Sequence, residues 1–308
     1  MAAASRPPAG AALAAPAVQL TGRARAVHSR SALTQALVRT VHNPMGLFGT
    51  VVLALLVICA LGAPYISPYD PLAQHAGSEL LPPGGQYLLG TDNLGRDLLS
   101  RIIYGSRASL LVGVVAVALG ASIGIASGLT AGYFGGIVDT VIMRFYDALL
   151  SFPAILLGIA VVSVLGTGML SVAYALAIAS LPGFARLMRS RVLAERERDY
   201  VLAARCCGAA DRRIMWLHVL PNAVAPLLIQ IALAMGFSVL AESALSFLGL
   251  GFPPDVPTWG RLLFDAQQYL DFAPHWAFFP GLMIFLTVLS VNYIGDGLRD
   301  ALDPRKTS

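Results

Sequence analysis

The 308-residue chain is 56% hydrophobic and 12% charged, with a mean hydropathy of +0.71 and a formal net charge of +4. Soluble domains carry roughly 25% charged residues, so this composition excludes one and describes a chain solvated mainly by lipid. A P-loop NTPase is excluded as well, because Gly-x4-Gly-Lys-Ser/Thr needs an internal lysine and the only lysine is Lys306.

Residues 1–40 are rich in Ala, Pro and Arg without apolar periodicity, which predicts a disordered tail. Its prolines make a poor signal-peptide core, so the first apolar stretch is the expected insertion signal. A spanning helix needs about 20 apolar residues. Such stretches recur at 45–66, 109–131, 145–166, 169–187, 223–245 and 276–297. The pattern predicts an all-α, polytopic membrane protein with six transmembrane helices. Its expected divisions are a tail over 1–40, a first span with an external segment over 41–104, a transmembrane domain over 105–298 and a second tail over 299–308.

In the segment after the first span, Leu98, Leu99, Ile102 and Ile103 predict a short amphipathic helix running into the second span, with Asp97 and Arg101 paired at i,i+4. Asp92 or Asn93 is placed to cap the turn before it. Asp92, Arg96 and Asp97 are the candidate residues of an external gate or substrate path. The second span carries Gly120, Gly124, Gly128 and Gly132, a spacing of four that keeps one helix face bare for close approach of another helix. Ser171, Ala175 and Ala179 repeat the small-residue pattern in the fourth span, so intramolecular packing is expected rather than a homodimer seam. The third stretch begins with Arg144 and Asp147, which at i,i+3 are expected to neutralise each other, and it contains Pro153. Glu242 lies near the outer end of the fifth span, and an intramembrane acid is a pathway or gate candidate, or a helix-end carboxylate bonded to solvent or backbone. Beyond it, Trp259 and Trp276 suit an interfacial aromatic belt.

Between the fourth and fifth spans lies the polar stretch DYVLAARCCGAADRRIMWLHVLPN, Asp199–Asn222. Residues 196–207 are good helix formers that end at Gly208, the residue suited to a left-handed C-terminal turn. Asp211 is expected to cap a second short helix ending near Pro221. Ala203, Ala204, Cys207 and Gly208 form a surface without bulk, and Ile214, Leu217 and Leu220 an anchoring stripe. Arg205 lies between the two alanines and the glycine. Basic residues cluster on this loop with its approach, on both tails and at Arg144 before the third span, leaving only Arg96, Arg101, Arg107 and Arg261 on the opposite side. Loop and termini are therefore expected in the cytoplasm, and topology accounts for the basic excess without nucleic acid. Cys59, Cys206 and Cys207 lack disulfide or zinc spacing, and His218 and His275 lack partner ligands, so no metal is expected.

The pattern Ala203-Ala204-x3-Gly208 followed by Leu220-Pro221 resembles the EAA loop of permease subunits in ATP-binding-cassette importers, with Leu202 where the motif usually has Glu. LGTDNLGRDLLSRIIYGSRASL (Leu89–Leu110) and ESALSFLGLGFPPDVPTWG (Glu242–Gly260) resemble the C-type subunits of the dipeptide, oligopeptide and nickel group. The resemblance covers about residues 40–304. It implies a type I importer permease fold with a cytoplasmic coupling-helix bracket over 196–221. The partners it implies are a homologous permease subunit, two ATP-binding subunits that hold ATP and Mg²⁺, an extracytoplasmic substrate-binding protein and membrane lipid. It implies no cofactor in this chain and no catalysis by it. Short peptides are the expected cargo, with nickel or a modified peptide as the alternative within the family. A secondary transporter or channel using Glu242 as a proton site is the alternative from another class.

Overall fold

The structure, a computed structural model, describes residues 38–302. The tail expected over residues 1–37 and the residues after 302 lie outside the described residues. Residues 38–40, expected to belong to the disordered tail, are helical, and Thr40 is buried. Among the described residues there is no β-strand, and only an isolated bridge joins Thr91 to Asp97.

Helix α1 (Pro44–Ile66) starts with proline at its first position and Asn43 as cap, whose side chain accepts from the Met45 amide at 3.2 Å. Its Leu56 and Ala60 pack inward, while Leu55, Ile58 and Leu61 face outward, where lipid is their solvent. Helix α2 (Leu98–Phe134) runs for 37 residues, about 55 Å at 1.5 Å per residue. It joins the expected amphipathic segment and second span without interruption. The divisions expected at 104 and 298 therefore fall inside helices, since α9 (Pro274–Leu302) is also continuous.

The third apolar stretch departs from expectation. It forms α3 (Gly136–Leu150) and α4 (Ala154–Leu165), set at 91° to each other across a break at Ser151–Pro153. Proline lacks the amide that a continuing helix needs, and its ring disfavours α geometry in the preceding residue. Five unbroken helices are long and apolar enough to span, and the bent pair makes six. Arg144 and Asp147 do not pair: Asp147 accepts from Arg186 of α5 (Met169–Glu195) at 2.6 Å.

The glycine ladder of α2 meets α5 as its spacing predicts. A Cβ added at Gly124 would lie 2.7 Å from the Phe184 Cβ and 2.8 Å from the Leu181 carbonyl oxygen. One at Gly120 would strike the Ser180 hydroxyl, one at Gly128 the Ala185 carbonyl, and one at Gly132 would lie 2.8 Å from the Val192 Cβ. The small residues of α5 that face this ladder are Ala177, Ser180 and Ala185. Of Ser171, Ala175 and Ala179, Ala175 packs inside the chain as expected, against Val112, Ala116 and Val162 and away from the ladder.

Short α6 (Asp199–Cys206) follows α5, and α7 runs unbroken from Asp211 to Phe247. Pro221 therefore does not end a helix. The turns before it, Ile214–Val219, widen to π geometry and lead into the long helix. Helix α8 (Trp259–Ala266) is capped by Thr258, whose hydroxyl accepts from the Arg261 amide at 3.1 Å. Trp259 and Trp276 are fully buried rather than interfacial. The Trp259 indole donates to the Ile102 carbonyl at 3.2 Å, and Trp276 stacks on Tyr269 with centroids 5.3 Å apart.

Packing this close makes a specific prediction. Gly124→Leu should lower the thermal midpoint of the detergent-purified chain, by about 1–3 kcal/mol of overpacking. Ile123→Leu, one position away on an exposed surface, should leave it unchanged. Equal midpoints for the two variants would contradict the assigned contact.

Candidate functional site

Helix α6 ends in a Schellman turn: the Gly208 amide donates to the Arg205 carbonyl at 2.9 Å and the Ala209 amide to the Ala204 carbonyl at 3.0 Å. Gly208 has φ +74°, where any Cβ would strain the backbone, although the space around it is open. Ala203, Arg205, Cys206, Cys207 and Gly208 are exposed. Ala204, expected on that surface, is half-buried and turns toward the bundle. The result is a short, nearly smooth prominence, with Leu202 also exposed at 47% where a glutamate was the pattern's usual residue.

Several contacts fix this prominence. Val201 is fully buried among Met188, Val192, Ile214, Met215 and Val219. Leu217, expected in the anchoring stripe, is instead 64% exposed, because the π turns rotate it outward and bring Met215 and Val219 in. Asp211 does not cap a helix. It accepts from the Tyr133 hydroxyl at 2.5 Å, and the Arg205 guanidinium lies over the Tyr133 ring, 5.4 Å from its centroid. That contact with Tyr133 raises the Arg205 pKa. Arg196 donates to the Gly132 carbonyl at 2.9 Å. Tyr200 donates to Glu195 at 2.8 Å and receives the Asn222 amide at 3.3 Å. Burial, reinforced by Glu195, pushes the Tyr200 phenol up to about 12, so it stays a proton donor. Pro221 lies where these π turns enter the long helix, behind the prominence.

At the other end of α2, Asp92 organises a buried charge network. One carboxylate oxygen accepts from the Leu94 and Arg96 amides, each at 2.9 Å, closing the expected turn. The other accepts from Arg96 Nε at 2.6 Å and from the Arg101 guanidinium. The expected Asp97–Arg101 pair is absent, because Asp97 caps α2 by accepting from the Ser100 amide at 2.8 Å. Arg101, fully buried, reaches instead to Asp265 of α8 at 3.6 Å, and Asp265 also pairs with Arg261 at 3.0 Å. Asp92, Arg96 and Asp97 are thus all buried, and Asp92 joins the segment before α2 to α8 through Arg101. The i,i+4 spacing of Arg261 and Asp265 was the sequence signal for the missed half of this network.

Glu242 is fully buried in α7 rather than solvated. The Ser246 hydroxyl donates to it at 2.7 Å, and the hydroxyls of Ser109 and Thr258 also bond to it. Ser109 accepts in turn from the Trp259 amide at 3.3 Å, so the carboxyl group sits where α2, α7 and the start of α8 converge.

The bracket, the closely packed spans and the external network together define a transporter's membrane subunit, and comparison with known proteins agrees. Residues 124–308 match the family described as binding-protein-dependent transport system inner membrane component, and residues 31–83 match the N-terminal transmembrane domain of oligopeptide transport permease C. The chain is 47% identical over 270 residues to the di/tripeptide transport system permease protein DppC of Pseudomonas aeruginosa, covering 86% of this chain and 89% of that one. It is 41% identical to the dipeptide transport system permease protein DppC of Haemophilus influenzae, covering 85% and 91%. It is also 46% identical to the glutathione transport system permease protein GsiD of Pectobacterium atrosepticum, covering 82% and 85%. A solved structure of the MetNI methionine ABC transporter in an inward-facing conformation shares the fold, with a TM-score of 0.54 and 18% identity, covering 67% of this chain and 97% of that one. The chain belongs to the binding-protein-dependent transport system inner membrane components, the permease subunits of ABC importers. It is a multi-pass protein of the bacterial inner membrane that works within an ABC transporter complex.

The buried network yields a second prediction. Asp92→Asn leaves the Arg101 charge without its closest partner and should cost about 3–5 kcal/mol, whereas Asp97→Ala removes a helix cap worth about 1 kcal/mol. Thermal unfolding of the purified complex should rank them in that order, and the reverse order would contradict the network.

Proposed function

We propose that this chain forms half of the translocation pathway of an ATP-driven importer of short peptides. It pairs with a homologous permease subunit and lodges its 196–221 bracket in the ATPase subunits. Two such subunits bind ATP and Mg²⁺ and perform all hydrolysis, and this chain is non-catalytic. An extracytoplasmic binding protein delivers the cargo. The observation that carries this reading is the exposed, bulk-free helix ending at Gly208, held by Val201, Tyr133 and Asp211. A smooth surface on a rigid mount is what a protein cleft can push against. Ala203 and Ala204 keep the helix slim, Arg205 braces it on Tyr133, and Pro221 lies at the root of α7 behind it.

Peptide cargo is supported by the di/tripeptide and dipeptide permease names of relatives at 47% and 41% identity. A modified peptide is the second reading, favoured by the glutathione permease relative at 46%. The distribution of basic residues supports a cytoplasmic location for both termini and the bracket. Asp92, Arg96, Asp97 and Glu242 act as the external gate's framework, since all four are buried and none is free to meet cargo in this conformation.

Gly208→Trp should abolish peptide uptake and weaken co-purification of the ATPase subunits, while the chain still inserts and pairs with its homologue. Full uptake by this variant would remove the coupling assignment. For orientation, a membrane-impermeant thiol reagent should label Ser78→Cys from outside the cell and Asp211→Cys only in inverted vesicles, in a chain lacking its native cysteines. Labelling of both from one side would refute the topology.

A further inference from the structure

The 91° break between α3 and α4 is exposed along Ser151, Phe152 and Pro153, with Phe152 at 59%. Its depth can be read from its neighbours. Pro153 and Ala154 share an apolar recess of about 430 Å³ with Ala179 of α5 and Phe237 and Leu240 of α7. Ala179 lies in the middle of the apolar stretch 169–187, and the two α7 residues lie within 223–245, so the break sits well inside the membrane. Backbone freed from helical hydrogen bonding cannot face hydrocarbon. It is tolerated at that depth only under protein or beside water.

A second recess, about 530 Å³, is lined by Arg144, Asp147, Arg186, Arg189 and Asp139. Two ion pairs cross it: Arg186 to Asp147 at 2.6 Å and Arg189 to Asp139 at 2.5 Å. Arg144 is exposed in this recess and has no ion-pair partner among the described residues. Ionisable side chains in spanning segments face cavities or one another. Lipid tails would meet broken backbone at the break, and the charged recess opens at the cytoplasmic end of the same helix. A flat seam with another subunit would leave two open recesses and an unpaired cation.

We propose that the α3–α4 break is this chain's wall of the cargo passage, with the apolar recess receiving peptide side chains and Arg144 receiving the C-terminal carboxylate of a short peptide. Asp147, one helical turn away, is held by Arg186 at 2.6 Å, so Arg144 is the group of this recess left open to a carboxylate. Discontinuous spans that expose polar groups near mid-membrane are a recurring way of building transport sites. The assignment rests on the peptide-importer reading above.

The test uses the complete transporter in proteoliposomes, with Cys59, Cys206 and Cys207 changed to serine. A water-soluble methanethiosulfonate applied to both faces should label Ser151→Cys and block dipeptide uptake, and leave Leu61→Cys, on the outward face of α1, unlabelled. Arg144→Gln should lower uptake of a dipeptide with a free carboxylate by roughly tenfold, the loss of one charge-assisted contact, with ATPase co-purification unchanged. Arg144→Lys should retain most of it. Ser151→Cys as inert as Leu61→Cys would overturn the passage, because lipid or a subunit would then cover the break. Arg144→Gln transporting as well as the parent would overturn the carboxylate site. Absence of peptide uptake by the parent complex, with Ser151→Cys still labelled, would remove the peptide cargo and its carboxylate site and leave the water-filled passage standing. The labelling arm keeps Arg144, so a folding failure of the Arg144 variants does not blunt it.

Discussion

Two spans of this protein touch where one has no side chains. Along Gly120, Gly124, Gly128 and Gly132, the carbonyls and side-chain roots of α5 occupy the volume that a Cβ would fill on α2. In lipid there is no hydrophobic force to drive helices together, so association depends on this kind of close van der Waals fit. The rest of the bundle is arranged around that pair. Helix α7 packs on both, with Ile214 and Val219 against Leu129 and Tyr133 of α2 and Met188 and Val192 of α5, α4 fills the end away from the bracket with Val162 against Val112 and Val172, and α1 presents an exposed apolar face.

Helix α2 also connects the two polar sites. Its first turn holds Asp97 and Arg101, fixed through Asp92 and Asp265 to the external segment and α8. Its last turn holds Gly132 and Tyr133, which bind Arg196 and Asp211 of the bracket. Helix α2, about 55 Å long, is thus held by the bracket at one end and by buried charge at the other, and its middle cannot slide on α5 without collision. Glu242, bonded to hydroxyls from α2, α7 and the residue preceding α8, ties those elements together at one point far from the bracket.

What the sequence made legible was whatever depends on run length or on a missing side chain. The apolar stretches located the helices, four glycines at spacing four located the contact with α5, and Gly208 located the end of α6. Charge partners were not legible, because local spacing offers a pair and the fold can offer a better one. Asp97 was available to Arg101 at i,i+4, but its carboxylate is taken by the Ser100 amide, and Arg101 finds Asp92 and Asp265 instead. Asp147 likewise goes to Arg186 on another helix, leaving Arg144 without an ion-pair partner among the described residues. Pro221 read as a stop because proline removes a hydrogen bond, yet π turns immediately before it carry the helix through. Trp259 read as interfacial because indoles favour wet edges, but the Ile102 carbonyl satisfies its N–H in the interior.

The bare face of α2 has a consequence for how the chain tolerates change. Glycine is the smallest residue, so every missense codon at Gly120, Gly124, Gly128 or Gly132 adds atoms where neighbouring backbone or side-chain roots already stand. Even alanine, the smallest replacement, meets backbone or a side-chain root at Gly124, Gly128 and Gly132. The exposed Leu202, Cys206 and Cys207 have open surroundings and admit a range of sizes. Variation is therefore channelled to the exposed flanks of the bracket, while the helix pair behind it stays fixed.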